Sequence, residues 1–421
     1  MTRTRPKQVV LAALSHDADF ADLPTLPTVD SKAGSNLLRW LDQSGMALVL
    51  LRRLQKHNAV PLVSDAWRQA LEARQARNIR RTEDMLQEAR RVQNAFLSFG
   101  IRAVCLKGFS LSPDFCEDPF VRHQVDFDFL VSQSTVHRAA EALCSCGYWT
   151  AKVNESSETC FVTPLRYIPS AQDDLYAVQR HRQVDLHVSI WEPYEWLSVE
   201  LPQDCLDFAQ PQQTNGLELL SLSLEDKFLF HTLHLFRHAF RSWIRVSWLL
   251  EIAHCIKYHD KNMTLWNRVI ERAGTGHLSK TIFAFVLGMV NRLFRTPIPE
   301  PLHLWQRAAM SSPLKAWLND FALDWVLSDW PGSLNNLFLA SEFIPHRSDR
   351  MKYCQSRLLP EKTRTSLGSI ATAGAKSFMK VQAAHLRYVA RRAAVHLTDI
   401  AVLPRQQIRW RRALASTRTP L

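Results

Sequence analysis

The sequence predicts an α+β fold: a small mixed sheet flanked by helices, then a mainly helical domain, then a basic helical tail. Three observations carry this. Short apolar runs of alternating character gather between residues 101 and 190, and period-two alternation marks a half-buried strand. Apolar residues at three-and-four spacing precede and follow that stretch, as on the buried face of a helix. The positive charge sits at the far end. From Arg347 to Leu421 there are 16 Lys and Arg against Asp349, Glu361 and Asp399, a net of +13; with +12 for the whole chain, residues 1–346 carry −1.

Residues 1–34 contain the turn-rich segment Asp22 to Gly34, with Pro24 and Pro27, and read as a loosely held lead-in. From Asn36 to Phe99 the pattern is helical: Leu37, Leu38, Leu41, Met46, Leu48, Leu51 and Leu54 keep the spacing, and residues 70–99 are rich in good helix formers. Next come a strand at 101–106, a turn, a loop at 112–123, a strand at 125–131 and a helix at 134–146. Ser132 and Ser134 are N-cap candidates for that helix and Gly147 is its stop. Further strands are expected at 158–163, 175–180 and 183–190, the last two joined by a polar turn at His181-Arg182.

From Leu217 to Leu339 the pattern is helical again. Its strong segments are 219–238, 243–258 and 277–294, punctuated by Asn262 and Gly274-Thr275-Gly276. No period of 20–50 residues recurs, which excludes a solenoid. One more helix is expected from Ala375 to Thr398. The chain divides into a helical N-terminal region (1–99), a sheet core (100–215), a helical domain (216–345) and a basic tail with one amphipathic helix (346–421).

Composition excludes several classes. At 46% hydrophobic and 22% charged, the 421 residues suit a globular chain rather than a disordered one. No run of about 18 apolar residues occurs, so no membrane span is expected. The basic start and short apolar run of the N-terminus are broken by Ser15-His16-Asp17, against a signal peptide. The eight cysteines lie scattered in apolar runs without C-x-x-C spacing, which suits free thiols in the cytoplasm.

Chemistry concentrates between Val104 and Val131. Strand residues two apart share a face, so Asp126 and Asp128 project side by side while Val125, Phe127 and Phe129 turn the other way. Two adjacent carboxylates repel unless a cation sits between them, and hard divalent ions such as magnesium prefer carboxylate oxygen. Upstream, the Gly108 turn offers backbone N–H groups and Lys107 a positive charge to a phosphate beside that metal. A lone Asp-x-Asp strand also suits a solvated sheet edge; the Leu106-Lys107-Gly108 turn and a third aspartate, Asp185 in Val184-Asp185-Leu186-His187, tip the balance towards a site.

These features resemble the uncharacterised bacterial nucleotidyltransferases of the DNA polymerase β superfamily: the Leu-Lys-Gly turn, Arg122 four positions before Asp126, the Asp-x-Asp-x-Leu-Val strand and the later Val-Asp-Leu-His. The resemblance covers roughly residues 35–360. It implies a nucleotidyltransferase-type sheet at 100–215 and transfer of a nucleoside monophosphate from an NTP to a hydroxyl, with release of pyrophosphate. It further implies two magnesium ions held by Asp126, Asp128 and Asp185, with Asp185 accepting the acceptor's proton. Gly108 and Ser110 line the triphosphate, and Lys107 and Arg122 offset its charge.

The acceptor is left open between a small molecule, a protein side chain and an RNA end. Phe109 and Val125 stand where the family is usually small, which motivates an alternative reading as an inactive fold with a binding or regulatory role.

Several residues have a functional and a plainer reading. His187, two places after Asp185, shares its face and either touches the site or is a satisfied strand histidine. His231, His234 and His238 line one helix face, as a metal or phosphate site or, more simply, as structure. The tail's Lys376, Lys380, Arg387 and Arg391 share a face. They suit an anionic membrane surface or nucleic acid, hence a cytoplasmic protein peripheral to the membrane, or an adaptor acting through its tail, or else a docked helix with a solvated basic side.

Overall fold

The computed structural model describes residues 5–154, 158–162, 175–178, 182–191, 197, 199, 202, 204–241, 244–274, 276–329, 333–358 and 375–418. The mixed α+β architecture is as expected. Four helices come first: α1 (Arg5–Leu14), α2 (Lys32–Gln43), α3 (Ala47–Lys56) and α4 (Asp65–Ser98). Ser31 caps α2 and Ser64 caps α4, each side chain accepting from the backbone N–H three residues on.

The first of these corrects the loosely held lead-in. Val9, Val10, Leu11, Ala13 and Leu14 are buried, and Lys7 Nζ donates to Leu327 O at 2.7 Å and to Asp329 Oδ1 at 2.8 Å. A short apolar run without polar interruptions has no readable period, and here tertiary burial decides it.

Seven strands form one sheet among the described residues: β1 (Val104–Cys105), β2 (Asp126–Leu130), β3 (Trp149–Asn154), β4 (Glu158–Val162), β5 (Gln183–His187), β6 (Gln210–Thr214) and β7 (Leu217–Ser221). Their order is β3-β4-β5-β2-β1-β7-β6. Strands β2 and β5 are parallel, as are β1 and β7, while the other pairs are antiparallel.

The strand expected at 101–106 shortens to two residues, and the one at 183–190 ends at His187. Residues 175–178 of the expected strand at 175–180 are turn and coil, and 179–180 lie outside the described residues. The helical pattern read from Leu217 begins only at Leu224; its first residues, Leu217–Ser221, are instead the second strand of the β6–β7 hairpin. Its tip is Asn215-Gly216, both at positive φ (49° and 70°), the dipeptide that fits the twist of a tight hairpin.

Helix α5 (Val136–Ser145) follows β2 and packs against α4. After the hairpin come α6 (Leu224–Arg241), α7 (Val246–Tyr258), α8 (Met263–Ala273), α9 (His277–Phe294), α10 (Glu300–Ala309), α11 (Ser312–Asp320), α12 (Ala322–Val326), α13 (Ala340–Phe343) and α14 (Arg347–Leu358). The last helix, α15, runs from Ala375 to Arg418 through Pro404, twenty residues past its expected end at Thr398. Its distal part is docked: Trp410 stacks on Phe338 at 5.5 Å, and Arg409 Nη1 meets Asp324 Oδ2 at 2.6 Å.

The two sheet faces serve different cores. Phe127, Phe129, Val184 and Leu186 pack with Phe96 of α4 and Leu143 of α5. Val104, Leu106 and Leu130 join the larger helical core with Leu233 and Phe236 of α6. The expected aspartates lie on this second face.

Candidate functional site

Parallel pairing sets Asp126 opposite Gln183, Asp128 opposite Asp185 and Leu130 opposite His187. Residues paired across neighbouring strands share a face, so the three aspartates converge, with ligand oxygens all within 4.8 Å of one another. Asp128 and Asp185 are buried, while the Asp126 side chain keeps 25% of its exposure.

Three further side chains brace the cluster. Lys107 Nζ sits 3.3 Å from Asp126 Oδ2 and 3.1 Å from Asp128 Oδ1. His187 Nε2 lies 3.2 Å from Asp128 Oδ1. Gln183 Nε2 donates to both oxygens of Asp185, at 3.0 and 2.8 Å.

The electrostatics divide the acids. Burial raises the Asp185 carboxyl to about 7, and the neighbouring Asp128 and Asp126 add to the rise against Lys107 and Gln183. Asp128 is held below its ordinary value: burial opposes its charge, but Lys107 and His187 outweigh that. Lys107 is itself raised, since the three carboxylates overcome its own desolvation. One oxygen, Asp128 Oδ2, is buried without a hydrogen-bond partner. An orphaned carboxylate oxygen beside two more carboxylates fits an oxygen-seeking divalent cation.

The turn is built as its chemistry requires. Gly108 opens a short 3₁₀ turn (Gly108–Leu111) at φ +75°, where an added Cβ would also strike the Gln124 carboxamide. Gln124 Nε2 donates to the Asp126 carbonyl at 2.9 Å, tying turn to strand. Ser110 is fully buried, and its hydroxyl donates to the Lys107 carbonyl at 3.3 Å.

Phe109 is buried beside Phe127, centroids 6.3 Å apart, in the core on the opposite face from the aspartates. Its bulk therefore does not narrow the carboxylate side, which removes part of the motive for the inactive-fold reading.

Arg122 is not brought onto the carboxylates. It pairs with Glu251 of α7 at 2.9 Å, Glu251 being buried and Arg122 mostly so, and its carbonyl accepts from Asn78 of α4 at 3.2 Å. Glu251 also has His231 Nε2 at 2.9 Å, and these partners hold it at about 2 against the cost of burial. His234 and His238 pack with each other at 4.6 Å and against Trp248 at 5.0 and 4.9 Å. The histidine face of α6 is thus a structural one.

A family model described as "Uncharacterised nucleotidyltransferase" matches residues 30–295, a stretch that contains the turn, all three aspartates and their bracing residues. The chain belongs to this nucleotidyltransferase family. No curated protein and no solved structure matches it. Family membership supports the general enzyme class and an NTP substrate. The carboxylate cluster lies inside the matched stretch and suits a divalent ion.

Sequence reasoning missed Gln183 and Gln124. Gln183 was findable, because it stands two places before Asp185 and so on the same face of one strand. Gln124 was not, since its role depends on how the loop folds back over Gly108.

Proposed function

We propose that the protein transfers a nucleoside monophosphate from an NTP to a hydroxyl, releasing pyrophosphate, with magnesium held by Asp126, Asp128 and Asp185. The observation that carries this is the convergence of three carboxylates within 4.8 Å, one oxygen orphaned, inside the stretch matched by the nucleotidyltransferase family. Magnesium bound there supplies charge neutralisation on the attacking and leaving oxygens.

The chain's own residues do the rest. Asp185 is the carboxylate assigned to take the proton of the acceptor hydroxyl, and Gln183 fixes its carboxylate plane. His187 orients Asp128 from the same face. Lys107, between Asp126 and Asp128, presents its ammonium to the phosphate charge, and Gly108 leaves the turn's backbone open to close approach. Ser110 acts by bracing that turn, and Arg122 acts at longer range from its pair with Glu251.

The test incubates the full chain with each α-labelled NTP, magnesium and a cell lysate as acceptor pool, beside an Asp126→Ala/Asp128→Ala variant. Label transfer by the wild type is expected to fall by roughly a thousandfold in the variant. Absence of transfer, together with no calorimetric NTP binding in magnesium, would overturn the reading.

A further inference from the structure

A second cavity lies beside the loop that carries Arg122. It measures about 150 Å³, similar to an engineered cavity that holds benzene. Val49 of α3, Phe115, Leu250 of α7 and Phe294 of α9 give it apolar walls. Its charge is positive, with Arg52, Arg53 and Lys56 from α3 and Lys257 from α7, against Glu117 and Glu251.

The two acids are already engaged. Glu251 holds Arg122, and Glu117 holds Lys56 with Arg52 at 3.8 Å. Arg53 and Lys257 meet no carboxylate at ion-pair distance among the described residues. Arg53 Nη2 donates to the Ser15 carbonyl at 2.8 Å, yet its Nε is buried without a partner. Two more lining nitrogens, His16 Nδ1 and His254 Nε2, are likewise buried and unpartnered. Buried polar atoms are normally satisfied, and uncompensated positive charge beside them calls for an anion. Burial lowers His254, against Glu117 and a hydrogen bond to the Pro113 backbone, which raise it.

The cavity wall is joined to the carboxylate site by a short stretch of chain. Val121, Arg122 and His123 form part of its wall, and an extended chain covers about 10 Å from position 123 to position 126. Asp126 is the most exposed of the three aspartates.

We propose that this cavity is the acceptor pocket: it takes a small molecule with a compact ring or apolar body and an oxyanion, phosphate or carboxylate, bound by Arg53 with His16 and His254. The acceptor role rests on the nucleotidyltransferase reading; the binding site does not.

Calorimetry without nucleotide tests the site, using phenyl phosphate and benzoate as the two oxyanion probes on the full chain. At least one is expected to bind the wild type, and Arg53→Met is expected to weaken it roughly tenfold to a hundredfold. Lys257→Glu changes an exposed position with little risk to folding, and should weaken binding several-fold. No binding of either probe, or equal affinity in wild type and both variants, would overturn the site.

The acceptor assignment is then read in saturating ATP and magnesium, whose own binding heat is recorded first. Probe and nucleotide bound together support an acceptor pocket, and displacement by ATP overturns it. Probe binding retained by Asp126→Ala/Asp128→Ala, whatever becomes of transfer, separates the fate of this site from that of the carboxylates.

Discussion

The two faces of β2 do opposite things with burial. One sends Phe127 and Phe129 into a closed apolar core, where Phe129 meets Phe96 edge to face at 5.2 Å. The other sets Asp126 and Asp128 beside Asp185, where burial works against charge: Asp185 is raised to about 7 and Asp128 Oδ2 lacks a partner. On the first face burial of apolar side chains stabilises the strand. On the second, an unfavourable cluster is held in place by that stability, with Lys107, His187 and Gln183 offsetting part of the repulsion. Stability and activity should therefore separate by face.

The largest effect on stability is expected from the apolar side. Phe129→Ala deletes a ring that is 3% exposed and should lower the unfolding free energy by about 3–5 kcal/mol, read from the urea midpoint at unchanged slope. Nucleotide transfer per folded molecule should persist. A loss under about 1 kcal/mol would break the comparison, because β2 would then not be anchored by its apolar face.

Gly108 joins the two faces, since its turn links β1 to the segment that leads into β2. Gly108→Ala would place a side chain at φ +75° and push Gln124 away from the Asp126 carbonyl. About 1–3 kcal/mol of stability should go, with a fall in NTP affinity larger than any change in probe binding at the cationic cavity. Equal losses at both sites would mean that the turn serves the fold generally rather than the phosphate side.

How much of this the sequence showed depends on how local the signal was. The Asp126/Asp128 pair was legible because a strand's period of two needs only five residues, and Asp185 because a second such strand repeats the pattern. The parallel register that sets Asp128 against Asp185 is a long-range fact, consistent with the local patterns without being contained in them. Strand β7 was misread because Leu217, Leu219, Leu220 and Leu222 suit either period, although Asn215-Gly216 marked the hairpin in plain sight.

Helix α1 was missed because its burial comes from partners such as Leu327, hundreds of positions away. Arg122 was placed by its sequence distance from Asp126, yet the loop turns its side chain to Glu251 on a helix that no local pattern connects to it. The cationic cavity left no motif at all. It forms where α3, α7, the ends of α1 and α9 and the loop near residue 121 meet.

The smallest stability change, and the most discriminating, belongs to Asp185. Its folded value of about 7 stands above the ordinary 3.8, so between those values the folded state holds more protons than the unfolded one. The stability contributed by the protonated form is full below about pH 4 and is lost as pH rises through about 7. Above neutrality the metal-free wild type therefore carries an ionised Asp185 at a cost that Asp185→Asn removes. Asp185→Asn should raise metal-free stability by about 1–2 kcal/mol at pH 8, and the gain should vanish near pH 4.

The same substitution should abolish transfer. Thermal melts at the two pH values, without metal, decide it. If Asp185→Asn were destabilising at pH 8, the carboxylate would be holding the strand rather than straining it, and the contrast between the two faces of β2 would not extend to its partner β5.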